Sequence, residues 1–203
     1  MQSLNLEQKK ERDDGRLKSI FWPTVENAWD VDHLGRQGFW ICLVIAILQV
    51  VVSLATGSAP AIAIGVAMAV AFFIGGMGVR QASWPAAAPV FAIYFFNQVY
   101  ALALGRFPGI LGILATGILL SNVRAAFLAS EWRPANDDED RPTRFSESFG
   151  DKLVDQLPAR AWPPLQIPFF VLGSILLVLT IAGMAVLVAQ RVGLLPHAGP
   201  AQP

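Results

Sequence analysis

The chain has 203 residues, of which 54% are hydrophobic and 15% are charged, and its 15 basic and 15 acidic side chains give a formal net charge of zero. Several runs of about 20 apolar residues contain no acidic group, which is typical of a polytopic helical membrane protein and excludes an ordinary soluble domain. The single cysteine, Cys42, excludes an intramolecular disulfide and a four-cysteine metal site.

The first 37 residues are predicted to form a cytosolic segment. Residues 1–18 are polar and charged, so they have too little apolar surface to pack and are expected to be mobile. Further on, Thr24 can cap a helix in which Val25, Ala28 and Trp29 fall on one face. This pattern predicts a short interfacial helix before the first membrane span.

Residues 38–132 are predicted to form a four-helix membrane bundle. The four spans are Gly38–Thr56, Pro60–Val79, Pro85–Leu104 and 108–132, and turns rich in Gly or Pro separate them. The polar leader before the first span is too long and too acidic for a secretion signal, so we expect this span to be retained.

Two rows of small residues predict helix faces that another helix can approach closely, which suits partner subunits or self-association. The rows are Ala61, Gly65 and Ala69 in the second span, and Gly117, Ser121, Ala125 and Ala129 in the fourth. The lipid bilayer is the other expected partner of these helices.

The only long hydrophilic connection, at residues 133–166, is predicted to be cytosolic. Its acidic cluster at 136–140 lacks the ligand spacing of an EF-hand loop, so we interpret it as a solvated linker. Leucines and a phenylalanine recur four residues apart at Phe149, Leu153 and Leu157, which predicts an amphipathic surface helix that ends at Pro158. A fifth transmembrane helix at 167–190 and a disordered tail at 191–203 complete the predicted all-α fold.

The distribution of basic residues predicts how the chain is threaded. With five spans, all but two of the 15 Lys and Arg residues fall on one side of the membrane, and the exceptions are Arg106 and Arg191. Because basic residues are retained on the cytoplasmic side, the N-terminus is predicted to be cytoplasmic and the C-terminus external. This asymmetry fits the plasma (inner) membrane.

Five polar side chains in the spans form a candidate intramembrane polar site. They are Arg124, Asn122, Asn97, Gln98 and Gln49. Embedded polar groups either hydrogen-bond between helices or line a path for a ligand or water, and both interpretations are open here. Arg124 lies about six residues, or ~9 Å, from the end of its span, so it either snorkels to the headgroups or faces the bundle and binds a phosphate, an anionic solute or a partner's carboxylate.

The groups that the spans lack guide the functional hypothesis. No carboxylate lies between Asp32 and Glu131, and the two histidines lie outside the apolar runs. Ion-coupled transporters and intramembrane hydrolases need such groups in the membrane, and we expect no cofactor, metal site or nucleic-acid partner. The leading hypothesis is a non-enzymatic accessory or scaffold subunit of a membrane complex. The alternative is a small transporter or channel component that binds an anionic solute or lipid headgroup.

Overall fold

A computed structural model of the chain describes residues 23–25, 28–131 and 149–194. Apart from short turns and residues 23–25, these described residues are helical, and no strand occurs among them. The first four helices are α1 Ala28–Thr56, α2 Ala59–Arg80, α3 Trp84–Ala103 and α4 Gly109–Glu131. A single turn α5 (Phe149–Asp151), a π-helical turn (Lys152–Gln156) and α6 (Leu157–Arg191) then follow one another without a break, and we call them together the final helix.

The prediction of an all-α membrane bundle with five spans is confirmed. Five helices are long and apolar enough to cross a membrane, namely Asp30–Thr56, Ala59–Arg80, Trp84–Ala103, Gly109–Glu131 and Lys152–Arg191. The second to fourth agree with the predicted spans to within one residue at each end. The reason is local, because Ser58 and Ser83 precede α2 and α3 and each of these helices has a proline in its first turn.

The region before the first span differs from its prediction. Residues 23–25 are not helical, and α1 begins at Ala28 and runs unbroken through the membrane, so the predicted interfacial helix is not a separate element. Packing explains the difference, because Val31 and Leu34 in the polar start of α1 are buried against Ala125 of α4.

The amphipathic helix that was predicted to end at Pro158 instead continues into the fifth span. Pro158 is the second residue of α6, directly after the π-helical turn, and the helix continues through it. Leu153 and Leu157 pack against the core of the bundle, whereas Phe149 is exposed. Val154, which the four-residue pattern did not select, is completely buried.

Three sequence predictions lie outside the described residues. They concern the mobile segment 1–18, the acidic cluster at 136–140 and most of the tail at 191–203.

The short turns make successive helices antiparallel, so the bundle has two ends. The Arg80 end contains the start of α1, the end of α2, the start of α3 and the end of α4. The final helix also starts there, because Asp155 contacts Arg80. At the opposite end, which we call the Arg191 end, the Arg191 guanidinium donates a hydrogen bond to the carbonyl of Ala103.

Helix α2 lies at the centre of the bundle because its glycines let other helices come close on two faces. Gly76 faces Cys42 of α1, and Gly78 is covered by Ala86 of α3 and Trp162 of α6. A Cβ atom on Gly78 would lie 2.6 Å from Cη2 of Trp162, so any larger residue would force a shift. These contacts hold the final helix against α2.

The two rows of small residues pack within the chain. Gly65 of α2 lies directly against Ser53 of α1. In α4, Ser121 and Ala125 are buried, and Ala125 belongs to the cluster that includes the start of α1. The buried members of the rows therefore serve contacts of α1 with α2 and α4.

Candidate functional site

One arginine joins three elements at the Arg80 end. Arg80, the last residue of α2, lies between Asp32 of α1 and Asp155 of the π-helical turn. Its Nη2 atom is 2.7 Å from Oδ1 of Asp32 and 2.6 Å from Oδ1 of Asp155, and its Nε donates to the same Asp155 oxygen at 3.1 Å. We call these three residues the Arg80 cluster.

The charges of the Arg80 cluster match the helix dipoles. Arg80 lies at the C-terminus of α2, and Asp32 and Asp155 lie in the first two turns of their helices. The Arg80 side chain is only 11% exposed, and those of Asp32 and Asp155 are 26% and 25% exposed. Partial burial strengthens the attraction relative to a surface ion pair and makes removal of the guanidinium costly.

The backbone around Arg80 is tightly packed. A Cβ atom on Gly35 of α1 would lie 3.3 Å from the Arg80 carbonyl oxygen, so the two helices nearly touch beside the cluster. Ala82, two residues after Arg80, has a φ of 51°, and the N–H of Ser83 donates a hydrogen bond to the carbonyl of Gly78 at 3.0 Å. This left-handed residue closes α2 at a cost of about 1 kcal/mol for a residue with a Cβ atom. The turn thereby fixes Arg80 at the helix end.

The π-helical turn contains the side chain that continues the buried face of the final helix. The buried residues of α6 are Pro158, Trp162, Phe169, Gly173 and Leu176. Extended backward with α-helical spacing, this stripe reaches both Val154, four residues before Pro158, and Asp155, seven before Trp162. The buried residue is Val154, which lies in the π-helical turn. Asp155 therefore lies beside the buried stripe, where it meets Arg80.

Arg124, the charged member of the predicted polar site, binds the segment that precedes α1. Its Nη1 donates a hydrogen bond to the carbonyl oxygen of Pro23 at 2.8 Å. Val25 is buried in the same region, in a cluster with Ala125. Neither the snorkelling interpretation nor the inward-facing one included this contact. Arg124 fastens residues 23–25 to the end of α4.

Asn122 lies at the contact between α4, α1 and α2. Its side chain is 3% exposed, and its Nδ2 donates to the carbonyl of Ile118 at 2.9 Å. A Cβ atom on Gly38 of α1 would lie 2.5 Å from Oδ1 of Asn122 and 2.6 Å from Cγ1 of Val79. Asn122 therefore fills the space that Gly38 leaves open.

Asn97 and Gln98 lie in the half of α3 nearer the Arg191 end. The Nδ2 of Asn97 donates to the carbonyl of Ile93 at 2.8 Å, within its own helix. Gln98 forms a side-chain hydrogen bond with Tyr94, and its Nε2 would lie 3.0 Å from a Cβ atom on Gly112 of α4. Both amides are half-buried and form hydrogen bonds within α3.

The five predicted site residues do not converge. Gly112, next to Gln98, is about 15 Å along α4 from Asn122 at 1.5 Å per residue. Gln49 is half-buried, and it lies about 16 Å along α1 from Gly38, the residue that Asn122 contacts. In the parts of the chain that the structure describes, these side chains occupy separate helix contacts rather than one site.

The interior of the described bundle is closely packed. The crevice lined by Ala71, Phe72, Val90, Ile93 and Phe169 has no room for a water molecule. Residues 23–25, 28–131 and 149–194 contain no group of three or more His, Cys, Asp or Glu side chains that could hold a metal ion.

The Arg80 cluster was not predicted from the sequence, because Arg80 was counted only as an indicator of topology. A signal was available, since Arg80 is the only charged residue between Arg36 and Arg106. A lone charge in a short turn between two spans needs partners from other parts of the chain.

Comparisons with known proteins give no relative, since no family model, curated protein or solved structure matches the chain.

Proposed function

We propose that this chain is a non-enzymatic protein of the plasma (inner) membrane that acts as an accessory or scaffold subunit of a membrane complex. The observation that carries the proposal is that the polar groups of the spans bind within the chain. Asn97 and Asn122 donate to carbonyls of their own helices, and Arg80 is paired with two carboxylates. A bundle of this kind has its internal contacts satisfied and offers its outer faces for assembly.

The outer faces of α1 and α6 have the apolar surface that a partner needs. Helix α1 exposes Val44, Ile47, Leu48, Val51 and Val52, and α6 exposes Val171, Ile175, Val178 and Leu179. Lipid covers such faces in an isolated membrane protein, and another subunit covers them in a complex. In the most apolar part of the last span only 11% of the residues are buried, compared with 33% in the α1 span. Of these two helices, α6 therefore has the larger exposed surface.

We propose in addition that the Arg80 end is cytoplasmic. All but two of the 15 basic residues belong to that side of a five-span topology, which is the distribution that cytoplasmic segments have. Trp84 and Phe127 also form an exposed aromatic pair there, with 6.3 Å between ring centroids. Aromatic side chains are enriched at the boundary between membrane and water, so this pair supports a boundary close to Arg80.

A small transporter or channel component has less support. It would need Arg124, Asn97 and Gln98 to face a common path. Arg124 instead donates to Pro23, and Gln98 contacts Tyr94 and lies beside α4.

The test is purification of the tagged chain from native membranes in mild detergent, followed by native mass spectrometry. A stoichiometric complex with a different membrane protein supports the subunit role, whereas a homo-oligomer that retains a solute supports a transporter. Val178→Trp on α6 and Val51→Trp on α1 are matched variants, because both side chains face outward and lipid accommodates either. Loss of the partner from one variant alone identifies the contacting helix, and retention by both contradicts a partner on these faces.

A further inference from the structure

We propose that residues 149–156 form a strap whose helical register is held by Arg80 and which can turn away from the bundle without unfolding it. The strap comprises α5 and the π-helical turn. Its closed state has Val154 in the core and Asp155 on Arg80. The structure thus contains a conformational device at the Arg80 end, which is independent of whether the chain acts as a scaffold subunit.

The π-helical turn is what makes two registers available. In the closed state, the turn places Val154 on the buried stripe that Pro158 and Trp162 continue. An uninterrupted α-helix would turn Asp155, seven residues before Trp162, closer to that stripe, while Val154 would remain four residues before Pro158. A carboxylate that faces an apolar core without a partner is unfavourable, which favours the register that keeps Asp155 beside Arg80.

The anchors of the strap are unequal along its length. On its C-terminal side, Pro158 is fully buried and Trp162 covers Gly78, so the chain is fixed from there onward. On its N-terminal side, Phe149 is 81% exposed and contributes little packing. Val154, the partly buried Leu153 and the Asp155 ion pair therefore hold the intervening turns closed.

Asp32 lowers the free-energy cost of opening the strap. The Nη2 atom of Arg80 lies 2.7 Å from Asp32 as well as 2.6 Å from Asp155. When Asp155 leaves, the guanidinium keeps a carboxylate partner, and the penalty for an unpaired, largely buried charge is avoided. Two arrangements that differ by a modest free energy are the requirement for a population shift by a binding partner.

A partner that binds the opened strap would shift the equilibrium toward the open state by its differential affinity. The structural unit from Trp162 onward would remain in place.

The test measures the reactivity of a thiol at Val154 in the purified full chain. Val154→Cys is combined with Cys42→Ser, and the rate of maleimide labelling is compared among Asp155→Asn, Arg80→Gln and Asp32→Asn. We expect labelling about tenfold faster or more with Asp155→Asn and Arg80→Gln, since local opening controls access to a buried group. Asp32→Asn should slow labelling, because opening would then leave the largely buried Arg80 guanidinium without either carboxylate partner.

A second measurement separates opening of the strap from loss of the fold. In chains that keep Val154 and Cys42, the fully buried Cys42 thiol should remain protected in all three variants. An unchanged rate at Val154→Cys in the Asp155→Asn chain would overturn the proposal. Simultaneous exposure of Cys42 would also overturn it, because the ion pair would then hold the whole bundle.

Discussion

Arg80 at the end of α2 donates hydrogen bonds from both Nε and Nη2 to a single carboxylate oxygen of Asp155, 75 residues later in the chain. The same Nη2 atom also pairs with Asp32 near the start of α1. One guanidinium thus fixes the starts of the first and last helices at the level where the second helix ends. Glycine packing along α2 brings these helices together, and the ion pairs set their relative positions along the helix axes.

Replacing Arg80 should destabilise the protein. Arg80→Gln leaves two partly buried carboxylates next to each other, and we expect a loss of about 1–3 kcal/mol in the free energy of unfolding, between the values for surface and fully buried pairs. Arg106→Gln is the matched control, because it removes the same charge from an exposed position in the turn between α3 and α4. Denaturation in detergent micelles measures both, and equal midpoints would show that the cluster contributes no stability.

The contact between Gly38 and Asn122 should show compensation. Gly38→Ala places a Cβ atom 2.5 Å from Oδ1 of Asn122, and overpacking of this kind costs about 1–3 kcal/mol. Asn122→Ala removes the obstructing amide, so the double variant should recover part of that loss. The control is Gly183→Ala, where the nearest side-chain atom, in Tyr100, is 3.9 Å from the new Cβ. Purely additive effects of the two substitutions would contradict the contact.

Arg124 should keep residues 23–25 in place through its bond to the Pro23 carbonyl. A carbonyl accepts a single hydrogen bond from lysine almost as well as from arginine, so Arg124→Lys should retain most of this contact. Arg124→Leu should insert normally, because removal of a charge from a span favours insertion, but it should release the segment. Maleimide labelling of Val25→Cys in the Cys42→Ser background measures release, and we expect several-fold faster labelling for the leucine variant.

Arg160→Leu is the control for this comparison, because Arg160 is an exposed arginine in the final helix near the same end of the bundle. Its labelling rate at Val25→Cys should equal that of the parent chain. If Arg124→Lys releases the segment as fully as Arg124→Leu, the planar shape of the guanidinium is required and a simple carbonyl contact does not describe its role.

The sequence predicts the second to fourth spans almost to the residue, and the reason is local. Prolines in the first turn of a helix and short turns between helices act over a few residues, so a linear pattern contains them. The start of α1 depends on tertiary packing. Its polar first turns contain Val31 and Leu34, which pack in one buried cluster with Ala125 of α4.

The continuity of the final helix and the Arg80 cluster were not predicted, because both depend on contacts between residues far apart in the sequence. A proline normally indicates a helix end, but Pro158 follows a π-helical turn in which Val154 is buried, and the helix continues through it. The same turn brings Asp155 to Arg80, a contact between residues that no spacing rule connects. The polar side chains that were predicted to form a common site do lie in the spans. Which groups they contact depends on the helix that lies opposite each one, and the sequence pattern does not show this.

The small-residue rows illustrate a further limit. Spacing by four residues indicates that a helix can approach closely, and Gly65 and Ala125 do lie at close contacts. The pattern does not distinguish a helix of the same chain from a helix of another subunit.

We propose a five-span protein with its Arg80 end in the cytoplasm, and thiol labelling in intact cells tests this topology most directly. Single cysteines are placed in the Cys42→Ser chain. The positions are Ser58→Cys and Leu194→Cys at the Arg191 end, and Ser83→Cys and Gln156→Cys at the Arg80 end. A membrane-impermeant maleimide should label the first two in sealed cells and should label the other two only after the membrane is opened. Labelling of Gln156→Cys in sealed cells, with Leu194→Cys spared, would contradict the account.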